Sequence, residues 1–177
     1  MDKGSIRREV KKRVAQMSAE EKSAASRRIF GQVAASDEFR RAEVVAVYAS
    51  LADEPQTAEF ISEWQGCKRI VLPRVEGDDM RFYDYAPERM RKGAFGISEP
   101  VGDVPCPPEN IDFMVVPAVA FTRAGERLGR GRGFYDRYLS QAGFRAYTVG
   151  VCFNVQLADE LPSEPFDVAV GKVISDS

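Results

Sequence analysis

Apolar residues recur along the first part of the chain with helical spacing. Ile6, Val10, Val14 and Met17 are separated by four, four and three residues, which lines one face of a helix. The opposite face carries Arg7, Arg8, Lys11 and Lys12. A second helix follows at once. Ser18 reads as its N-cap, Glu21 completes a capping box, and Ile29, Phe30 and Val33 continue the apolar side. The pattern then changes. Val44 to Ser50 (VVAVYAS) is rich in β-branched residues and predicts a buried strand, with LADEPQT as its exit loop. Thr57 caps a short helix running to about Gly66. Arg69 to Pro73 is another strand, ended by its proline, and MRFYDY is a shorter, more exposed one.

The next segment, residues 86–110, is about 25 residues long and too long to be a mere connection. Its aromatic and Gly-Pro content points to a substrate-facing loop. Ile111 to Pro117 is the clearest central strand. GFYDRYLSQAG then predicts a helix, with Tyr135, Tyr138 and Leu139 at helical spacing and Gly143 as its stop. YTVGVCF is a late strand and FDVAVGKVI a C-terminal extended piece. Strands alternating with helices imply an α/β domain with a mainly parallel sheet between helices. Ligands in such sheets sit outside the carboxyl ends of the strands. The exits after Val44–Ser50 and Ile111–Pro117 are therefore the places to look.

Composition narrows the chemistry. The 177 residues suit one domain spanning 1–177, and 44% hydrophobic with 29% charged is ordinary for a globular protein. The net charge of −2 argues against a general nucleic-acid binder, so any basic site is local. There is no histidine, which removes His-based triads and His-ligated metals. Cys67, Cys106 and Cys152 are scattered, without zinc spacing or a disulfide framework. No apolar run approaches the roughly 20 residues needed to span a bilayer, and the basic N-terminus lacks an apolar h-region. We expect a cytoplasmic protein, acting as a monomer, with no membrane and no nucleic-acid partner.

One stretch concentrates unusual chemistry. RLGRGRGFYDRYL, Arg127 to Leu139, holds glycines at 129, 131 and 133 among four arginines. It is not a dinucleotide fingerprint, because Phe134 stands where the last glycine belongs, and it lacks the Gly-Lys-Ser/Thr of a Walker A loop. Glycines nevertheless let backbone N–H groups turn towards an anion. A helix N-terminus follows, where free N–H groups attract negative charge. Arg127, Arg130 and Arg132 add charge-assisted donors. The same residues also read as a solvated glycine-rich turn, or as a short RG-type nucleic-acid segment. Asp136, in the first turn, either complements the helix dipole or ligates Mg²⁺, which favours one or two carboxylates with phosphate oxygens.

The stretch resembles the R-L-G-x-G-x-G-[YF]-Y-D motif of the 5-formyltetrahydrofolate cyclo-ligases, also called 5,10-methenyltetrahydrofolate synthetases. The likeness runs through nearly the whole chain. KGSIR resembles the family's K-x-x-[LI]-R opening and YASLADEPQT its Y-x-S-x-x-x-E-x-x-T segment. VLPRV, FGISEP and DFMVVPAVAFTRAGERLG follow in the usual order. Many members carry glycine where this chain has Arg132, and others carry a basic residue. EPFDVAV resembles a segment that more often reads E-x-H-D, so Phe166 stands in place of that histidine.

The resemblance implies a three-layer α/β/α sandwich like the NagB/RpiA/CoA-transferase group. It implies ATP- and Mg²⁺-dependent cyclisation of 5-formyltetrahydrofolate to 5,10-methenyltetrahydrofolate, releasing ADP and phosphate. Carried over residue by residue, Lys3 and Arg7 resemble the N-terminal ATP contacts. Arg127, Leu128, Gly129, Arg130, Gly131, Arg132, Gly133, Phe134 and Tyr135 resemble the nucleotide loop, with Arg130, Arg132 and Tyr135 nearest the chemistry. The middle of that loop, at Phe134, also touches the folate. Asp136 and Asp167 resemble the metal ligands. Ala49 (through its backbone), Glu54 and Phe95 resemble substrate contacts. Tyr138 is expected to pack in the core. Lys3 and Arg7 also fit a merely solvated basic helix face, and Glu54 a solvated loop carboxylate. Two other functions suit the same residues: a small-molecule kinase, and a folate- or nucleotide-binding homologue without catalysis.

Overall fold

The computed structural model describes residues 1–177. Helix α1 (Lys3–Ala15) begins where the Asp2 carboxylate accepts the Ser5 N–H at 2.7 Å. It buries Val10 and Val14, with Ile6 and Met17 packed beside them, as the spacing predicts. Helix α2 (Ala19–Ala35) opens on the expected capping box: the Ser18 hydroxyl accepts the Glu21 N–H and the Glu21 carboxylate accepts the Ser18 N–H, both at 3.0 Å. A five-residue helix, α3 (Asp37–Arg41), then buries Phe39. Sequence periodicity misses it because a single turn holds no repeat.

Strand β1 (Val44–Ala46) is shorter than its apolar run. Beyond it the extended chain still donates from Val47 N–H to the Val71 carbonyl at 3.1 Å. Helix α4 (Ala58–Trp64) has no side-chain cap, contrary to the role expected of Thr57. The Thr57 hydroxyl instead donates to the Tyr48 carbonyl at 2.8 Å and accepts from Ser50 N–H at 3.2 Å, stitching together the loop after β1.

Strand β2 (Arg69–Glu76) runs through Pro73 rather than stopping there. It pairs antiparallel with β3 (Asp79–Asp84), and Pro73 lies opposite Phe82. The Phe82 carbonyl points away from β2, accepting from Cys106 N–H at 2.7 Å. The Pro73–Phe82 pair is thus one that exchanges no ladder bonds, so the missing proline N–H costs none. β3 is an edge strand, but Met80, Phe82 and Tyr83 are buried, more than the sequence pattern suggested.

The long 86–110 segment is built, not loose. It contains an antiparallel hairpin, β4 (Met90–Lys92) and β5 (Ser98–Pro100), and a 3₁₀ turn at Pro108–Asn110. Three-residue strands carry too little alternation to be read from sequence. After them come β6 (Phe113–Val116), the short hairpin β7 (Ala120–Phe121) and β8 (Arg127–Leu128), helix α5 (Phe134–Leu139), β9 (Tyr147–Val151) and β10 (Lys172–Ile174). Helix α5 ends at Leu139, four residues before the expected stop at Gly143.

Six strands form one sheet in the order β10-β9-β6-β1-β2-β3, parallel except for β3. This is the expected α/β architecture with a mainly parallel sheet. Its layers are unequal. Residues of α1 to α4, among them Ile29, Val33, Phe39 and Phe60, pack on Val45, Phe113, Val115 and Val149 of one face. On the other face Ala46, Val71, Met114 and Val116 meet Tyr138 and Leu139 of the single short helix α5. Each large apolar side chain buried in these cores contributes about 1.5–3 kcal/mol.

Candidate active site

The exits of β1 and β6 converge, and the glycine-rich stretch joins them. Arg127, the first residue of β8, donates from Nη2 to the Pro117 carbonyl at 3.1 Å. Its Nη1 lies 3.3 Å from Asp136 Oδ1 in the first turn of α5. Only 5% of the Arg127 side chain is exposed, and its Nε finds no partner. Burial lowers its pKa, with Asp136 opposing the shift, and the group stays a cation at any working pH. Gly131 and Gly133 adopt φ of 103° and 71°, which side chains disfavour, and Gly133 turns the chain into α5.

Arg130, between two of the glycines, points to the loop after β1. Its Nη2 is 2.6 Å from Asp53 Oδ1 and 3.4 Å from Glu54 Oε2. Glu54 is buried, and its Oε1 accepts the Leu51 N–H at 2.8 Å. Burial raises its pKa, while the Leu51 N–H and Arg130 pull it back down. Tyr135 lies between these groups: the Arg127 guanidinium is 5.5 Å from its ring centre, and burial, with the charge of Glu54, raises its phenol pKa.

Both chain ends enter the cluster. Arg7 Nε of α1 donates to the Gly129 carbonyl at 2.8 Å. Lys3 Nζ sits 3.0 Å from Asp167 Oδ2 and 3.4 Å from Glu164 Oε1. Partial burial works against the Lys3 charge, but Asp167 outweighs it and raises the pKa. Burial likewise works against the Asp167 charge, and the Glu164 N–H with Lys3 overcomes it, lowering that pKa. A cleft of about 160 Å³ beside α1 gathers Arg7, Lys11 and Arg130.

Asp136 and Asp167 approach through the backbone, since Val168 N–H donates to Asp136 Oδ1 at 3.0 Å. No group of three or more metal-type ligands is present. The two carboxylates have a common arrangement, however. All hydrogen bonds to Asp136 fall on Oδ1, and all those to Asp167 on Oδ2, leaving one oxygen of each without a donor. Two half-free carboxylates fit Mg²⁺, which takes one or two such ligands and completes its shell with water and phosphate oxygens.

Other expected residues pack in the cores or border the cluster. Leu128 is buried in the first core, so its side chain packs. Phe134 packs against the second core, with the Arg137 guanidinium 5.3 Å from its ring. Ala49 is half-buried against the first core. Phe95, half-exposed at the tip of the β4–β5 hairpin, has a φ of 59° and the Arg132 guanidinium 4.6 Å above its ring. Phe166 is exposed, 5.7 Å from Lys3 Nζ. Tyr138 is a core residue as expected, edge-on to Phe82 at 4.9 Å. Asp53 and Arg137 were not singled out by sequence. Asp53 was hidden beside Glu54, and Arg137, which donates to the carbonyls of Arg132 at 2.9 Å and Asp78 at 2.8 Å, looked like an ordinary helix cation.

Fold and cluster together define a class: an α/β enzyme with a glycine–arginine loop and a carboxylate pair at the carboxyl edge of its parallel sheet. The family model described as the 5-formyltetrahydrofolate cyclo-ligase family matches residues 1–176. A 5-formyltetrahydrofolate cyclo-ligase of Haemophilus influenzae is 32% identical over 177 residues, covering 96% of this chain and 95% of the relative. Among solved structures, Aquifex aeolicus 5,10-methenyltetrahydrofolate synthetase superposes with a TM-score of 0.90 at 33% identity, covering 99% of this chain and 90% of that one. The 5,10-methenyltetrahydrofolate synthetase of Mycoplasma pneumoniae gives 0.80 at 27% identity, with both chains fully covered. The chain belongs to the 5-formyltetrahydrofolate cyclo-ligase family, and so to the ligases.

Proposed function

We propose that this chain cyclises 5-formyltetrahydrofolate to 5,10-methenyltetrahydrofolate, consuming ATP in a Mg²⁺-dependent step and releasing ADP and phosphate. Family membership supports the substrate. The observation that carries the ATP and Mg²⁺ reading is the pair of half-free carboxylates, Asp136 and Asp167, set beside the glycine–arginine loop.

The formyl group on N5 is an amide and a poor electrophile. The formyl oxygen attacks the γ-phosphorus and the bond to ADP breaks, leaving an iminium phosphate. N10 adds to the activated carbon and gives up its proton to solvent, the ring closes, and the C–O bond breaks as phosphate leaves with the former formyl oxygen. Phosphoryl transfer asks the protein mainly for positioning and charge stabilisation. Arg130, Arg132, Lys3 and Arg7 supply fixed positive charge. Asp136 and Asp167 would hold Mg²⁺, which neutralises phosphate charge when bound. Glu54, whose carboxylate is held by the Leu51 N–H and lies beside Arg130, accepts hydrogen bonds from pterin N–H groups. Phe95 offers an aromatic face to the pterin, and Tyr135 borders the reacting groups. No step needs a histidine.

The test mixes purified protein with 5-formyltetrahydrofolate and MgATP and follows the absorbance of the methenyl product. The chromophore should grow only with ATP, stop on chelation of Mg²⁺, and disappear in Asp136→Ala. A folded wild type that binds ATP but forms no chromophore would overturn the reading.

A further inference from the structure

Arg130 lies between Gly129 and Gly131, so no neighbouring side chain fixes its backbone. Arg7 holds the adjoining Gly129 carbonyl, and what holds the Arg130 side chain is a contact 77 residues away in the chain, the 2.6 Å bond from Nη2 to Asp53 Oδ1. That is a short, charge-assisted bond. Asp53 makes no other hydrogen bond. The same Nη2 lies 3.4 Å from Glu54 Oε2. Only Nη2 is engaged. Nε and Nη1 remain available, and the Arg130 side chain is 40% exposed beside the cleft that also holds Arg7 and Lys11.

We propose that Asp53 is a positioning residue that pins Arg130 so one guanidinium bridges the nucleotide and folate subsites and couples their binding. The inference rests on the function proposed above, which places phosphate at Arg130 and the pterin at Glu54. A guanidinium is a rigid fork with donors on more than one edge. Nη2 serves the carboxylate pair while Nε and Nη1 face phosphate. Whichever ligand arrives first contacts one side of this link and holds Arg130 in place through Asp53. The second ligand then meets a guanidinium already held, which is positive coupling and reciprocal by necessity.

The experiment measures the dissociation constant of 5-formyltetrahydrofolate with and without saturating MgADP. In the wild type the nucleotide should tighten folate binding by at least about fivefold, and in Asp53→Asn and Arg130→Lys the ratio should fall below about twofold. Thermal midpoints serve as the folding control, because a half-exposed pair adds little stability. A merely structural Asp53 would shift the midpoint and leave the ratio alone. An Asp53→Asn protein with the wild-type ratio, or a wild type that binds both ligands independently, overturns the coupling while sparing the proposed function. A folded wild type that binds neither ligand overturns both.

Discussion

Gly129 has little room for a side chain. A Cβ there would lie 3.0 Å from Arg127 Nη2, and that nitrogen cannot swing away while it holds the Pro117 carbonyl. Gly129→Ala should therefore push the guanidinium off Asp136. Overpacking of this kind costs about 1–3 kcal/mol. We expect kcat/KM to fall roughly ten- to hundredfold, read by steady-state kinetics, and an unchanged value would separate Arg127 from the chemistry. Glu54 makes the opposite bargain. Its folded pKa is raised above 4.5, so above that pH the folded state keeps a proton that the unfolded chain has lost. Stability falls as pH rises through that window. Glu54→Gln is neutral throughout and keeps an acceptor for the Leu51 N–H. Its melting temperature should gain on the wild type as pH rises from 4.5 towards neutrality. Its kcat/KM for the folate should drop about ten- to hundredfold, since a hydrogen bond to a charged group contributes about 1.5–3 kcal/mol.

At the level of elements, α2 shows what local chemistry controls. The Ser18–Glu21 capping box makes no hydrogen bond to the glycine loop. Ser18→Ala should cost about 1 kcal/mol, lowering the thermal midpoint by roughly 2–4 °C with kcat unchanged. A calorimetric scan beside a rate assay checks both halves. Elements of this kind were legible in the sequence because they rest on contacts three or four residues apart. The α1 face through Ile6, Val10, Val14 and Met17 was visible for the same reason. The errors have an equally physical cause. Thr57 looks like a cap, yet its hydroxyl serves the Tyr48 carbonyl nine residues back, a tertiary choice that no local rule contains. Pro73 looks like a stop, yet it falls at a position where β3 asks for no N–H. The β4–β5 hairpin is fixed by its seat on β2, where Glu99 accepts the Val75 N–H at 3.2 Å, not by its own pattern.

Across the whole molecule, the cluster joins residues from the two ends and the middle of the chain. The motif Arg127 to Asp136 announced itself through its glycines, and the family resemblance supplied Lys3, Glu54 and Asp167. Asp53 stayed hidden, because a carboxylate one residue from another in an exit loop carries no distinguishing spacing, and its partner lies 77 residues on. Lys3→Ala removes the cation at Asp167. The KM for ATP should rise about fivefold, with stability nearly unchanged because partly exposed pairs contribute about 0–1 kcal/mol. Asp167 ionises below its usual 3.8 with Lys3 in place, so without it the proposed activation by Mg²⁺ should be lost in acid at a higher pH. A constant KM and an unmoved acid limb would remove α1 from the nucleotide site. The Lys3–Asp167 contact spans 164 positions, nearly the full sequence. During synthesis the lysine emerges early and waits roughly 10–30 s for its carboxylate, at about 5–20 residues per second. A nascent chain can build α1, α2 and much of the first core in that interval, but not the place where nucleotide would bind. On the proposed function, nucleotide would stabilise only chains whose C-terminal segment has already docked, and a chain stalled on the ribosome before residue 167 would lack the carboxylate that Lys3 holds.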